Sequence, residues 1–247
     1  MKKLFAAILA AAVLCLALPF AASAAGEYIT DKFTDPAFRA KVQAIIGKEV
    51  ILDTDTAAIK TLSVGESGIR SLAGLEYFVS LKSLHCIGSQ LTALPALPKG
   101  LTALACGGGR LTSLPKLPSG LTYLDCSNNQ LTSLPKLPAA LTSLNCAGNR
   151  LTALPKLPGG LTQLNCAGNQ LTALPSLPKT IKRVYCANNQ MQSPPKLPRA
   201  KEFTGTWDGV NFVFEPQNAP APPVKQSFWK TLWQWLLRYV FFGWIWM

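Results

Sequence analysis

The sequence predicts a solenoid: short parallel β-strands along a concave face, an extended, polyproline-like convex side, and helices only at the ends. Three observations carry that expectation. Between Leu81 and Met191 one 20-residue unit, LTxLxCxxNxLTxLPxLPxx, restarts six times. Its apolar slots hold a fixed register, so a unit buries its Leu residues only by stacking on its neighbours. The returns from Leu94 onward carry Leu-Pro-x-Leu-Pro. Proline fixes φ at about −65° and biases the preceding residue to extended geometry, which suits a return without a helix.

Residues 1–25 read as a secretory signal peptide. Lys2 and Lys3 precede an apolar run from Leu4 to Phe20, and Ala22-Ser23-Ala24 offers small residues for cleavage. Leu14 stands where lipidation of Cys15 would need a small residue, so a lipid anchor is not expected. Residues 26–58 read as a helical N-terminal cap over the open end of the apolar core. Asp35 is placed to N-cap a helix opened by Pro36, with Phe38, Val42, Ile45 and Ile46 on one face and Gly47 as its stop. Asp53 and Asp55 have a calcium-like spacing but lack the other loop ligands, and they read as turn-capping residues.

Residues 59–200 hold about seven units. The first, Ile59-x-x-Leu62-x-Val64-x-x-Ser67-x-Ile69, is followed 22 residues later by Leu81, and the last, from Ile181 to Met191, is degenerate. Each L-x-L-x-C stretch is expected as a strand, with Leu124 and Cys126 turned inward. Cys86, Cys106, Cys126, Cys146, Cys166 and Cys186 then form one inner row. Neighbouring strands lie ~4.8 Å apart with side chains parallel, whereas disulfides need Cβ atoms about 3.8 Å apart on converging vectors. The row therefore reads as a ladder of buried thiols. No His or carboxylate shares its register, so no zinc and no other cofactor is expected. Asn129, Asn149, Asn169 and Asn189 are expected to form a second ladder at the turn leaving each strand, weaker where Ser89 and Gly109 take the slot.

The charge is lopsided, 24 Lys+Arg against 12 Asp+Glu. Between Phe78 and Lys201 thirteen basic residues face a single acid, Asp125. Lys116, Lys136, Lys156 and Lys196 share one repeat position and Lys99, Lys179 and Arg199 another, both beside the prolines on the outer return. Such a rail suits anionic glycans, lipid headgroups, wall polymers or nucleic acid; alternatively it keeps a Leu-rich array soluble. No aromatic residues alternate with these cations, so nucleic acid is not an expected partner.

Residues 201–216 read as a hairpin cap, two strands turning at Asp208-Gly209. A Pro-rich linker follows over 217–226 and a Trp-rich tail over 227–247. Nine apolar residues after Arg238 cannot cross ~30 Å of hydrocarbon, and a span from Thr231 would bury Arg238 at about 2.5–3.5 kcal/mol. An amphipathic helix lying in the membrane interface fits better. Trp229, Trp233, Trp235, Phe241, Phe242, Trp244 and Trp246 would make the membrane contact; a spanning anchor and docking on a protein are the alternatives.

The unit L-x-x-L-x-L-x-x-N-x-L, with Cys in its third apolar slot, is similar to the leucine-rich repeat. The run Gly68-Ile69-Arg70-Ser71-Leu72-Ala73-Gly74-Leu75-Glu76-Tyr77-Phe78, with its 22-residue spacing and helical cap, looks like the start of internalin-type repeat regions of bacterial surface proteins. The Leu-Pro-x-Leu-Pro units resemble the LPX repeats of secreted bacterial effectors. Together these likenesses cover roughly residues 33–200. The internalin likeness implies a protein that meets host or surface partners through its concave face. Effectors of the second type often add a ubiquitin-ligase domain with a catalytic Cys, whereas every Cys here after the leader is a repeat position.

On the concave face the residues flanking the second Leu of each unit point outward and vary from copy to copy. Tyr123, Asp125, Asn145, Gln163, Asn165, Arg183 and Tyr185 gather in the C-terminal half, mixing aromatic anchors with hydrogen-bonding groups. They are the candidate binding residues for a protein or glycan. His85 is the single histidine, with no motif pairing it to a nucleophile, so no catalytic residue is expected. The expected function is that of an exported, monomeric binding protein held near a membrane by its tail. The rival readings are an effector acting inside a host cell and a membrane-active protein working through the tail.

Overall fold

The structure is a computed structural model that describes residues 26–65 and 68–191, together with the backbone of 211–213. The leader expected over 1–25, the linker expected over 217–226 and the tail helix expected over 227–247 lie outside the described residues. Eight strands of three residues each form one parallel sheet in chain order. They are β1 (Thr61–Ser63), β2 (Ser83–His85), β3 (Ala103–Ala105), β4 (Tyr123–Asp125), β5 (Ser143–Asn145), β6 (Gln163–Asn165), β7 (Arg183–Tyr185) and β8 (Asn211–Val213). The register is unbroken. Leu62, Leu84, Leu104, Leu124, Leu144, Leu164 and Val184 stand in one row, and each is at most 1% exposed. Burying a Leu side chain contributes roughly 1.5–3 kcal/mol, which makes this row a main source of the array's cohesion.

The slots of the unit now have physical roles. The six cysteines follow directly after their strands, buried and not joined in disulfides, as the repeat spacing predicts. Each ladder asparagine ties two units together. Asn149 Nδ2 donates to Cys126 O at 3.0 Å in the preceding unit and to Cys146 O at 3.1 Å in its own, while Oδ1 accepts from Leu131 N at 3.0 Å. Asn129, Asn169 and Asn189 repeat the pattern. Ser89 and Gly109 supply no such bond among the described residues. The position before each ladder residue needs a left-handed backbone and is Gly or Asn throughout: Gly88, Gly108, Asn128, Gly148, Gly168 and Asn188, with φ between 52° and 70°. Gly and Asn are the residues that enter this region at least cost.

A third ladder runs along the strand entrances. Thr102 Oγ1 donates to Lys82 O at 3.0 Å, and Thr122, Thr142 and Thr162 each do the same to the preceding Thr carbonyl. The Leu-Pro returns are extended. Each closes with a tight turn, such as Leu121 N to Pro118 O at 3.1 Å, that feeds the next strand. No helix lies on this side among the described residues after Tyr77; the longer first unit instead holds a 3-10 turn, Leu75–Tyr77.

At the N-terminal end, α1 (Pro36–Ile46) begins at Asp35 and stops at Gly47 in left-handed geometry, as expected. Asp35 does more than cap. Oδ1 accepts from Ala37 N and Phe38 N at 2.9 and 3.0 Å, and Oδ2 accepts from Arg70 N and Ser71 N at 2.8 and 3.0 Å. One carboxylate thus binds the helix to the turn of the first repeat. Phe38 and Val42 join the repeat core, and Phe33, Phe38 and Phe78 cluster with centroids 5.4–6.4 Å apart. Gly74 is required here, since a Cβ would lie 2.8 Å from the Phe33 ring. Ile45 departs from the expected apolar face and is 43% exposed, whereas Ile46 packs against the core as expected.

The short helix α2 (Asp53–Ala57) explains the two aspartates. Asp53 Oδ1 accepts from Glu27 N at 2.8 Å; Asp55 accepts from Leu52 N at 3.0 Å and pairs with Lys48 at 2.6 Å. Both serve turns. At the C-terminal end, β8 falls within the second half of the expected hairpin but runs parallel to β7, extending the solenoid sheet. The partner strand expected over 203–207 lies outside the described residues.

Candidate binding surface

The concave face presents two rows of side chains flanking the buried Leu row, because alternate residues of a strand point to opposite faces. One row runs Thr61, Ser83, Ala103, Tyr123, Ser143, Gln163, Arg183. The other runs Ser63, His85, Ala105, Asp125, Asn145, Asn165, Tyr185. All seven candidate residues therefore sit on four consecutive strands, β4 to β7, spanning roughly 14 Å at about 4.8 Å per strand. Tyr123 and Tyr185 do not meet. They lie in different rows at opposite ends of the patch, 40% and 36% exposed, with the polar residues between them.

The polar groups are partly fixed by their own turns. Asp125 Oδ1 accepts from Ser127 N at 3.0 Å and Ser127 Oγ at 2.7 Å. Asn145 and Asn165 accept from Ala147 N and Ala167 N at 3.3 Å. Their Nδ2 groups have no partner among the described residues, so donors remain for a ligand. Partial burial, reinforced by the Asp125 charge, raises the Tyr123 phenol above its ordinary range and keeps it a neutral donor. Asp125 marks one end of the patch and Arg183, beside Lys182, the other. The surface carries both signs of charge without an internal ion pair among the described residues.

One contact was not foreseen. Ser83 Oγ lies 3.0 Å from His85 Nε2, so a nucleophile-type residue does have a base beside it. The i, i+2 spacing on one strand face was visible in the sequence. Among the described residues no third group orients the imidazole, and the pair lies on an open face. The cysteines are poor nucleophiles for another reason. Burial pushes the Cys86 thiol up to about 12 and Cys186 up to about 11, and it raises the four between them as well. Among the described residues no three His, Cys, Asp or Glu side chains are placed to hold a metal, and no helix is long and apolar enough to cross a membrane.

Comparison with known proteins agrees with this geometry. A family profile described as leucine-rich repeats (2 copies) matches residues 119–159. No curated protein is matched by sequence. Among solved structures, YopM from Yersinia enterocolitica WA-314 is 40% identical with a TM-score of 0.55, over 57% of this chain and 31% of its own. The leucine-rich-repeat domain of a Shigella effector is 28% identical with a TM-score of 0.58, over 65% of this chain and 70% of that one. The functional domain of InlJ from Listeria monocytogenes, which includes a cysteine ladder, is 28% identical with a TM-score of 0.55, over 71% and 50%. This chain thus spans less than a third of that YopM and half of the InlJ domain. It is a parallel-strand solenoid with the leucine-rich-repeat fold, similar to bacterial effectors and an internalin.

Proposed function

We propose that the chain is a non-enzymatic, exported binding protein that engages a protein partner through the concave patch from Tyr123 to Tyr185. The observation that carries this reading is the register. Seven aromatic, charged and amide side chains that break the repeat fall on four adjacent strands, while the Cys and Asn slots stay constant and the inner strand slot changes only from Leu to Val184. The likeness to effector and internalin repeat domains supports a protein ligand. The helical segment before β1 then serves as a cap, and the Trp-rich tail as an interfacial membrane tether.

The test is the affinity of a captured partner for the full chain and for Tyr123→Ala/Tyr185→Ala. Loss of two aromatic anchors should weaken binding by at least tenfold; unchanged affinity removes the patch from consideration. Deleting residues 224–247 and fractionating the cells tests the tether, which fails if both forms are released equally. The 40% identity to a Yersinia YopM favours a second reading, an effector acting inside a host cell. N-terminal sequencing of the exported protein separates them: cleavage after residue 24 or 25 supports secretion through the leader.

A further inference from the structure

The convex side carries a feature that the concave patch does not use. An open groove of about 460 Å³ lies between the return segments of two adjacent units. Lys136 and Lys156 line it, above an apolar floor that includes Leu137, Pro155, Leu157 and Pro158. The groove occurs where the residues after the second proline are small. Ala139 and Gly159 stand where other units have Lys99 and Lys179, and a Cβ on Gly159 would meet nothing within 4 Å. Both lysines are exposed. Lys48–Asp55 is the single ion pair among the described residues, so neither ammonium has a carboxylate partner. Lys116 continues the same row one unit earlier.

We propose that this groove binds a linear acidic glycan, with sulfate or carboxylate groups on the lysines and the C–H faces of the sugar rings on the Leu and Pro floor. Charge complementarity sets the sign of the ligand. The apolar floor between regularly spaced cations favours a chain of flat-faced, anionic rings over a bare ion. No aromatic side chain among the described residues lines the groove to stack a base. A bilayer would press on the row of lysines without entering the groove.

The test uses the full chain and a heparin-derived oligosaccharide in a titration, with a neutral maltooligosaccharide and phosphatidylglycerol vesicles as controls. Lys136→Ala/Lys156→Ala should lower affinity for the acidic oligosaccharide about tenfold. Lys99→Ala/Lys179→Ala removes the same charge outside the groove and should change it less than about threefold. Gly159→Gln fills the groove at constant charge and should also weaken binding, whereas Tyr123→Ala/Tyr185→Ala should leave it intact. That last variant keeps this proposal separate from the concave reading. Equal losses from the two lysine pairs, full affinity in Gly159→Gln, capture of vesicles alone, or no binding at all would each overturn it. Unchanged far-UV circular dichroism confirms that every variant folds.

Discussion

Replacing Asn149 by Ala should unfold the array far more readily than replacing Asn165, although the two asparagines lie only 16 residues apart on neighbouring units. Asn149 is 8% exposed, and its side chain makes an acceptor contact to Leu131 N and donor contacts to Cys126 O and Cys146 O. Truncation leaves the Leu131 amide buried without an acceptor, which costs about 1–3 kcal/mol. The carbonyls suffer less, because Cys126 O keeps Asn129 and Cys146 O keeps Asn169. With the two donor bonds added, we expect a total of about 2–4 kcal/mol. Asn165 makes one long contact, 3.3 Å to Ala167 N, on the concave surface, and its truncation should cost under about 0.5 kcal/mol. Urea unfolding of the full chain, followed by circular dichroism, measures both. Equal destabilisation by the two substitutions would refute the ladder as the tie between units.

The turn slot, Asp35 and the thiol ladder each carry outcomes of their own. Gly109→Asn should not stabilise the array in the same urea assay, because the added Cβ would lie 2.9 Å from Asn129 Oδ1 and disturb the rung that accepts from Leu111 N. Asp35→Ala should cost about 2–3 kcal/mol, since it strands donors on both the helix and the first repeat. Partial burial opposes the Asp35 charge, yet the amides of Phe38, Arg70, Ser71 and Ala37 hold its carboxyl below the unfolded value of 3.8. Its contribution is therefore present above that pH and lost as pH falls through the folded value, so Asp35→Asn should flatten the acid limb of stability. The cysteines act in the opposite direction. Their raised thiols favour the folded state below the unfolded value of 9.0, and that stability fades as pH rises from there toward about 11 and 12, where Cys186 and Cys86 titrate. Iodoacetamide at neutral pH should leave all six unmodified in the native chain and label them in urea.

The scaffold was legible because its determinants are local and periodic. A Leu in nearly every inner strand slot, a Cys after six of the strands and an Asn at four of the turns need only stacking to acquire their roles, and Asp35-Pro36 with Gly47 marks a helix by its ends alone. What escaped were contacts whose meaning depends on the third dimension. The constant Thr of each unit is plain in the sequence, but its hydroxyl bond to the preceding unit's carbonyl emerges only from the stacked geometry. Ile45 fits the helical stripe by spacing, yet it stands 43% exposed. Asp35 reads as a cap, and its second oxygen on Arg70 and Ser71 lies 35 and 36 residues away. The candidate positions were legible in the sequence, and the register brings them onto four adjacent strands.

Site-specific photo-crosslinking tests the central claim most directly. A benzophenone side chain placed in turn at Tyr123, Asn145, Gln163, Arg183 and Tyr185, and at Ser119 and Lys179 on the returns, reports which face meets the protein partner. Adducts to one common partner from the strand positions, and none from the return positions, are the predicted result. Adducts from Ser119 or Lys179 alone would place recognition on the convex side and contradict the concave patch.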